Sequence, residues 1–474
     1  MPVLRPRVPI RFESVEKMVN GHDLQSLIIP VEEGLRRFTR IFEDMLSSLC
    51  GAFLILRGET GSGKTTLVHT LRLFLKDVQT VSIRRDESIR ETLRSLGPSG
   101  GTSRAVVIES REALSDTSEV EIESIILAIN AFVRSRVGER TVVVWPCNSD
   151  PIAEKLAASA SQIGGEALLG VEEPVFRYQG PPRSEYLRIA RNTIATFNSG
   201  ASLADLGIAE ERAEQLAREA ETIGRFLNLI QFEERKNREI LVSKLQTREQ
   251  CRMWVVVVAK NDPEPEVGVL TRGQYSTADI ERLMASTDAN IVKEIKEHPE
   301  RLGLLATTID AKILHLPALT AIEVIQDYAD DPLRIELGKQ EFYVAGATHG
   351  KDRFLESDLA SALQGEPVGT LRRGPKPKAE RLSPFDAIMV VAQTNDEALN
   401  RAVGRALVDC DLIERFEQEV DLGGGLTRKS DLVCNPHIDP VRLEIMWRTD
   451  TTRSQIANYV LTKLFNYGRA IEFI

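Results

Sequence analysis

The sequence predicts an α/β fold built on a parallel sheet, and two observations support this prediction. Short apolar runs typical of buried strands alternate with helix-like segments over residues 31–182. A glycine-rich loop, residues 58–65, lies directly between the first apolar run and a helix-like segment. Strands that alternate with helices favour a parallel sheet with helices on both faces. The predicted strands are residues 52–56, 78–83, 104–109, 141–145, which Pro146 is expected to end, and 174–178.

The composition is that of an ordinary globular protein of 474 residues, of which 42% are hydrophobic and 27% are charged. The formal net charge of −10 excludes a basic surface over the whole chain, so any contact with nucleic acid must come from local basic patches. No apolar run is long enough to span a bilayer, no secretion signal is expected from the N-terminal residues, and the five cysteines form no C-x-x-C pair. We therefore expect a cytoplasmic protein without membrane contact or disulfides.

The loop at residues 58–65 matches the complete G-x-x-x-x-G-K-[ST] pattern (Walker A) of phosphate-binding loops. Its glycines allow consecutive backbone N–H groups to point at a phosphate, and the helix that follows adds the positive end of its dipole. Lys64 is expected to neutralise the β- and γ-phosphates of ATP, and the Thr65 hydroxyl to bind Mg²⁺. The predicted nucleotide-binding residues of this segment are Gly58, Glu59, Thr60, Gly61, Ser62, Gly63, Lys64, Thr65 and Thr66.

Hydrolysis of ATP requires further polar groups near the phosphates. Glu109 ends the predicted third strand, where an acid that holds the metal is expected, and Glu112 is close enough in sequence to act as the base. Asn148 follows the fourth strand and is expected to reach the γ-phosphate and the attacking water. In the helical residues 183–249, Arg225 is a candidate contact to the γ-phosphate. The alternatives are a polar strand end for Glu109 and a solvated helix residue for Arg225.

Through the loop, the strand-end acid and the two candidate phosphate sensors, residues 30–245 resemble the AAA+ and STAND class of P-loop ATPases. The resemblance implies a P-loop NTPase parallel sheet, residues 31–182, followed by a helical lid, residues 183–249. Ring-forming members carry an arginine finger before the fifth strand, whereas residues 149–175 of this chain contain no arginine. A slow, switch-like ATPase is therefore expected at least as much as a conventional ring.

The segments beyond the lid carry fewer motifs. Residues 250–364 are expected to form a mostly helical middle domain, with one isolated strand candidate at 252–258. A linker at 365–384 is rich in glycine, proline, lysine and arginine, and its most basic part, 371–381, distantly resembles an AT-hook that enters the minor groove of DNA. The alternative is a solvated, semi-rigid spacer. A short N-terminal segment, residues 1–30, precedes the first domain.

Residues 385–474 return to mixed helix and strand and carry a second set of acids. Asp431 opens one strand-like run and Glu444 lies in the next, so antiparallel pairing of the two runs is expected to bring both carboxylates to one metal ion. Gln455 and Tyr459 follow on a helix, where their spacing places them on one face.

This order resembles the PD-(D/E)xK nuclease fold, and Gln455 and Tyr459 match the Q-x-x-x-Y signature of its RecB-like branch. The resemblance implies that the helix at 397–407 leads the domain and that Glu397 supplies its helix-borne acid. The family lysine is expected two residues after Glu444, but Met446 stands there. Substitutes for that lysine are Lys429, Arg448 and Lys463, among which the sequence does not choose.

Two functions of different classes are therefore predicted. The first is an ATP-hydrolysing P-loop ATPase coupled to double-stranded DNA through a C-terminal nuclease-like domain, an architecture common in antiviral defence and mobile elements. The second is an ATP-dependent signalling or scaffold switch that assembles with a protein partner or with further copies of itself, with an inactive nuclease-like domain. The first function is the preferred prediction, and the second is supported by the missing arginine finger, by Glu109 in place of the usual aspartate, and by the missing lysine.

Overall fold

The chain forms two compact units in a computed structural model. The first unit comprises Val8–Thr193 and Ala213–Gln231, and the second comprises Met1–Arg7, Ile194–Arg212 and Phe232–Ile474. Among the described residues, no helix is both long and apolar enough to cross a membrane. The described residues are 6–10, 12–18, 24–25, 27–112, 118–169, 173–246, 251–343, 349–369, 379–423, 429–436 and 439–474.

The first unit contains a five-stranded parallel sheet. Its strands are β1 (Ala52–Arg57), β2 (Val78–Ile83), β3 (Ser103–Ile108), β4 (Thr141–Cys147) and β5 (Val175–Arg177). They lie in the order β2-β3-β4-β1-β5. Phe53 and Ile55 pack into one core, while Leu54 and Leu56 pack into another on the opposite face. Burial on both faces explains why this strand is apolar throughout.

All five predicted strands are confirmed, with one difference at the end of β4. The sequence predicts that this strand ends before Pro146, whereas β4 continues through Pro146 to Cys147. Pairing with β3 ends at Val144, while pairing with β1 continues to Cys147. One edge of β4 therefore needs no ladder partner at Pro146, and a residue without an N–H group is tolerated there.

Helices cover the first unit, and several of them border the candidate site described below. They are α1 (Phe12–Met18), α2 (Glu32–Ser48), α3 (Lys64–Phe74), α4 (Ile89–Ser95), α5 (Glu119–Val133), α6 (Asp150–Gly164), α7 (Glu166–Leu169), α8 (Tyr186–Phe197), α9 (Glu210–Glu219) and α10 (Ile223–Gln246). The predicted lid, residues 183–249, is helical but is not a unit of its own, because its residues are divided between the two units. An amphipathic pattern shows that a helix has a buried face but not which core it covers.

The second unit contains a mixed sheet of seven strands in the order β10-β11-β12-β6-β9-β8-β7. Its central strand β6 pairs in parallel with both β12 and β9, whereas β10, β11 and β12 are antiparallel. The strands are β6 (Arg252–Ala259), β7 (Thr271–Arg272), β8 (Thr277–Ala278), β9 (Lys312–His315), β10 (Phe416–Asp421), β11 (Lys429–Cys434) and β12 (Val441–Arg448).

The predicted middle and C-terminal domains share this sheet. The strand candidate at 252–258 is confirmed as β6, but it is not isolated: it pairs along its whole length with β12. The pairing joins residues about 190 positions apart, as Arg252 to Val441 shows, and no local pattern reveals a partner at that separation. The predicted boundary at residues 365–384 therefore runs between two parts of one unit, and residues 370–378, with most of the AT-hook-like segment, lie outside the described residues.

Helices pack on both faces of the seven-stranded sheet. They are α11 (Glu264–Leu270), α12 (Ile280–Ala285), α13 (Asn290–Ile295), α14 (Pro299–Thr308), α15 (Ala318–Tyr328), α16 (Asp331–Lys339), α17 (Gly350–Leu355), α18 (Asp358–Gln364), α19 (Ala379–Leu382), α20 (Pro384–Asp409) and α21 (Arg453–Ala470). Two buried cores result, one containing Trp254 and the other containing Val255.

Candidate functional site

The first candidate site surrounds Lys64, beyond the carboxyl ends of β1 and β4. Lys64 is 6% exposed. Its ammonium group donates hydrogen bonds to the carbonyl oxygens of Gly58 at 2.6 Å and Glu59 at 3.0 Å, and to Oδ1 of Asn148 at 2.8 Å. Burial lowers the pKa of Lys64, and the Glu112 carboxylate opposes that change. The cation, amide and acid predicted for one site therefore lie together.

The glycines of the loop are required by its backbone. Gly61 and Gly63 have φ angles of 82° and 93°, in the left-handed region that favours glycine. Gly63 is also the N-cap of α3, so the loop ends at the positive end of the helix dipole. At Gly58, an added Cβ would lie 2.7 Å from the carbonyl oxygen of Tyr178. A bulkier residue at any of these three positions would distort the loop.

The start of α10 packs directly on this loop. The N–H of Gly224 donates to the carbonyl oxygen of Gly61 at 2.9 Å, and the Thr222 hydroxyl donates to that of Thr60 at 3.3 Å. An added Cβ at Gly224 would lie 2.9 Å from Cα of Gly61, so this approach requires a glycine. Arg225 follows and lines the same cavity as the loop. The predicted sensor arginine is thus held beside the loop by backbone contacts that the sequence motif did not reveal.

The loop opens into a cavity of about 730 Å³, a volume typical of small-molecule sites. Thr65 and Thr66 line its polar side together with Lys64, Glu112 and Asn148. Part of its wall is apolar and comes from the N-terminal segment, which the sequence analysis did not assign to the site. These apolar residues are Pro9, Ile10, Val15, Leu27, Ile28 and Ile29.

The two candidate acids of this site differ in their surroundings. Oε1 of Glu109 lies 2.7 Å from Nε2 of His69 and accepts a hydrogen bond of 2.7 Å from the Ser82 hydroxyl. The hydrogen bond with His69 is the main cause that lowers the pKa of Glu109. Glu112, by contrast, lines the cavity beside Lys64. Glu112 is therefore the acid that faces the cavity, and the metal-binding role of Glu109 stays a prediction.

The second candidate site lies in the second unit, where β11 and β12 pair. Their antiparallel register joins Leu432 to Leu443, and its continuation places Asp431 opposite Glu444, as the sequence analysis predicts. Oδ2 of Asp431 accepts a hydrogen bond of 2.6 Å from the N–H of Ile445. Glu444 is 1% exposed, and burial is the main cause that raises its pKa to about 7. Burial likewise raises the pKa of Asp431.

Of the three candidate substitutes for the missing lysine, Lys463 on α21 forms an ion pair with Glu444. Its ammonium also lies 5.3 Å from the ring centroid of Tyr459. Burial opposes the charge of Lys463, but the carboxylates of Glu444 and Asp431 raise its pKa overall. Gln455, Tyr459 and Lys463 follow each other at four-residue intervals, so one face of α21 carries all three. That spacing was the signal from which Lys463 could have been found.

A cavity of about 460 Å³ opens beside these groups. Lys429 and Arg448, the other two candidates, line it and bring positive charge to its wall. Gln455 lines it as well, and its Oε1 accepts a hydrogen bond of 3.0 Å from the N–H of Thr452 in a capping box that begins α21. The cavity therefore has basic groups at its wall, one of which, Lys463, is paired with the buried Glu444.

The helix that is expected to supply an acid to this site carries two, Glu397 and Asp396. Burial raises the pKa of Glu419, and the charge of Glu397 adds to that effect. It is the neighbouring Asp396 whose charge raises the pKa of Asp431, in addition to burial. Both acids follow Asn395, which interrupts α20 with a non-helical φ of −153° and ψ of 57°. Helical spacing read from the sequence does not foresee this rotation.

No family model and no curated protein matches this chain. The resemblances to AAA+ and STAND ATPases and to the PD-(D/E)xK fold thus depend on the residues and geometry given above.

Proposed function

We propose that this chain is an ATPase that binds ATP and Mg²⁺ at the glycine loop of the first unit. The observation that carries the proposal is the position of the Lys64 ammonium. It is buried at the N-terminus of α3, bonded to Asn148, and adjoins a cavity that Glu112 also lines. A buried ammonium group that donates hydrogen bonds to loop carbonyl oxygens can donate them to phosphate oxygens instead when a nucleotide binds.

Each residue of the site has a role in this proposal. The loop N–H groups and Lys64 bind the phosphates, and the Thr65 hydroxyl would hold Mg²⁺, whose charge offsets that of the phosphates. Glu112 orients the attacking water, with Asn148 beside it as the second polar contact. Arg225 contacts the γ-phosphate, and the apolar wall of the cavity receives the adenine base.

Titration calorimetry of the full chain with ATP and Mg²⁺ tests the proposal. Lys64→Met should weaken ATP binding by at least about tenfold, because a charge-assisted hydrogen bond contributes roughly 1.5–3 kcal/mol. Lys76→Met is the matched control, since Lys76 is an exposed lysine just beyond the end of α3. Glu112→Gln should bind ATP normally and hydrolyse it more slowly. Unchanged affinity in Lys64→Met would overturn the proposal.

The ion pair of Glu444 with Lys463 favours a second activity, metal-dependent cleavage of DNA by the second unit. In the proposed site, Asp431 and Glu444 would hold a hard divalent cation, and Lys463 positions the attacking hydroxide. Lys429 and Arg448 at the cavity wall supply charges for the phosphate backbone. In this proposal, Lys463 on α21 takes the place of the lysine that is missing two residues after Glu444.

Cleavage of double-stranded DNA in the presence of Mg²⁺ or Mn²⁺ tests this second activity. Glu444→Gln and Lys463→Met should each abolish cleavage, while Glu417→Gln, an exposed carboxylate on β10 of the same sheet, should not. If the unaltered chain does not cut DNA with either metal, with and without ATP, the nuclease activity is refuted. The remaining alternative is then a switch that assembles in response to ATP. That alternative requires the molar mass in solution to change with ATP.

A further inference from the structure

The strand β9 ends in a buried histidine outside both sites described above. His315 is 2% exposed, and neither of its ring nitrogens has a hydrogen-bond partner among the described residues. A neutral imidazole ring keeps a lone pair on one nitrogen. Buried polar groups are normally satisfied, so an unpartnered imidazole indicates an absent ligand.

Two carboxylates face this ring from the segment that follows β6. Nε2 of His315 lies 3.9 Å from Oδ1 of Asp262, and the ligand atoms of His315, Asp262 and Glu264 all lie within 4.8 Å of one another. Ligands bound to Zn²⁺ at about 2.1 Å in a tetrahedron are about 3.4 Å apart. A shift of about 0.5 Å would therefore bring the histidine and Asp262 to bonding distance of one ion.

We propose that His315, Asp262 and Glu264 bind one divalent transition-metal ion of the Zn²⁺ type. β6 and β9 are parallel neighbours, with Val257 paired to His315, so all three ligands lie at the carboxyl end of the sheet, where ligands of α/β proteins commonly bind. Asp262 also lines a cavity of about 470 Å³. Water from that cavity fills the remaining coordination positions.

The donor set selects the class of ion. One imidazole with two carboxylates suits Zn²⁺ and its first-row neighbours, whereas Mg²⁺ and Ca²⁺ prefer oxygen ligands throughout. The site is also separate from the carboxylate pair at Glu444. Glu444 is level with Ile313, which lies two strands away on β9, and His315 is two residues beyond Ile313. The Cα atoms of Glu444 and His315 are therefore about 12 Å apart. That is three times the separation of ions in two-metal sites, about 4 Å.

Bound zinc, measured after equilibrium dialysis of the full chain against Zn²⁺ alone, tests the site. The protein used has no affinity tag and contains the substitutions Asp431→Asn and Glu444→Gln, so that the other carboxylate pair cannot bind zinc. His315→Gln should remove one zinc per chain or weaken its binding by at least about 100-fold. The matched control is His298→Gln, because His298 is 58% exposed and lies 3.3 Å from a carboxylate oxygen of Glu300. Equal zinc content in both variants would overturn the proposal.

A second variant covers the case in which the core does not tolerate glutamine at His315. Asp262 is 38% exposed, so Asp262→Asn should fold and still lose the zinc. Co²⁺ supplies the spectroscopic readout, because its visible absorption reports the ligand set. The absorption band should appear in the unaltered chain and disappear in Asp262→Asn. A band of unchanged intensity would overturn the assignment.

Discussion

Replacing Lys463 by methionine should destabilise the second unit, and the loss should grow as the pH rises. Glu444 is almost fully buried and Lys463 is its ion-pair partner. Methionine keeps most of the packing of the lysine stem and removes only the charge. The variant therefore leaves a buried carboxylate without its cation.

The sign of the pH dependence follows from the pKa of Glu444. In the folded protein it is about 7, above its ordinary value of 4.5. Between these values the folded state binds more protons than the unfolded state, so the free energy of unfolding falls as the pH rises. The loss is roughly 1.4 kcal/mol per pH unit, hence roughly 3 kcal/mol across the window. Without Lys463 the folded-state pKa rises further, and the fall continues to higher pH.

The cost of the substitution therefore depends on pH. At about pH 5 the Glu444 carboxyl is protonated in both proteins, and we expect a cost below about 1 kcal/mol. At about pH 9, Glu444 in the variant is either a buried carboxylate without a partner or stays protonated far above its ordinary pKa. Both states are unfavourable, and we expect the free energy of unfolding to fall by about 3–5 kcal/mol. The double variant Glu444→Gln/Lys463→Met should recover most of that loss, because it removes both charges.

Urea unfolding with a chelator present measures these differences. Trp254 and Trp447 report the second unit by fluorescence, and a Trp145→Phe background removes the signal of the first. Lys351→Met is the matched control, because Lys351 and Asp409 form a half-exposed ion pair in the same unit. It should leave the free energy of unfolding nearly unchanged at either pH, because exposed ion pairs contribute little. A loss in Lys463→Met no larger than in this control at high pH would refute the reasoning.

Three glycine substitutions extend these tests. At Gly224 an added Cβ would lie 2.9 Å from Cα of Gly61 in the glycine loop, so Gly224→Ala should weaken ATP binding about tenfold by calorimetry; unchanged affinity would contradict the contact. At Gly404 an added Cβ would lie 2.7 Å from the ring of Phe416, so Gly404→Ala should lower the free energy of unfolding by about 1–3 kcal/mol in urea, and a gain would count against the packing. At Gly338 no described atom lies within 4 Å of an added Cβ; Gly338→Ala should raise that free energy by about 0.5–1 kcal/mol and leave ATP binding unchanged, whereas a loss would contradict the open helix surface.

The strand and the helix that flank the glycine loop were predictable because their signals are local. The motif from Gly58 to Thr65 requires a strand before it and a helix after it, and both are visible within about 20 residues. The contact between Gly224 and Gly61 was not predictable, because more than 160 residues separate the two glycines. Nothing in the sequence around Gly224 marks it as a partner of the loop.

In the second unit, the pairing of Asp431 with Glu444 could be predicted from two adjacent strands. The spacing of Gln455, Tyr459 and Lys463 indicates a shared helix face, but the ion pair of Lys463 with Glu444 could not be predicted, because the sequence does not show how that face lies against β12. The insertion of β6 between β12 and β9 depends on pairing across distant parts of the chain. The sequence therefore revealed the acids, while the structure supplied the cation that balances them.

The most direct test of the central claim is the rate of ATP hydrolysis by the full chain, with and without double-stranded DNA. Lys64→Met serves as the blank and Lys76→Met as the control. We predict turnover in the unaltered chain and in the control, none in the blank, and a clear increase with DNA. Turnover that survives in Lys64→Met would contradict the assignment of the site, and a rate indifferent to DNA would contradict the coupling.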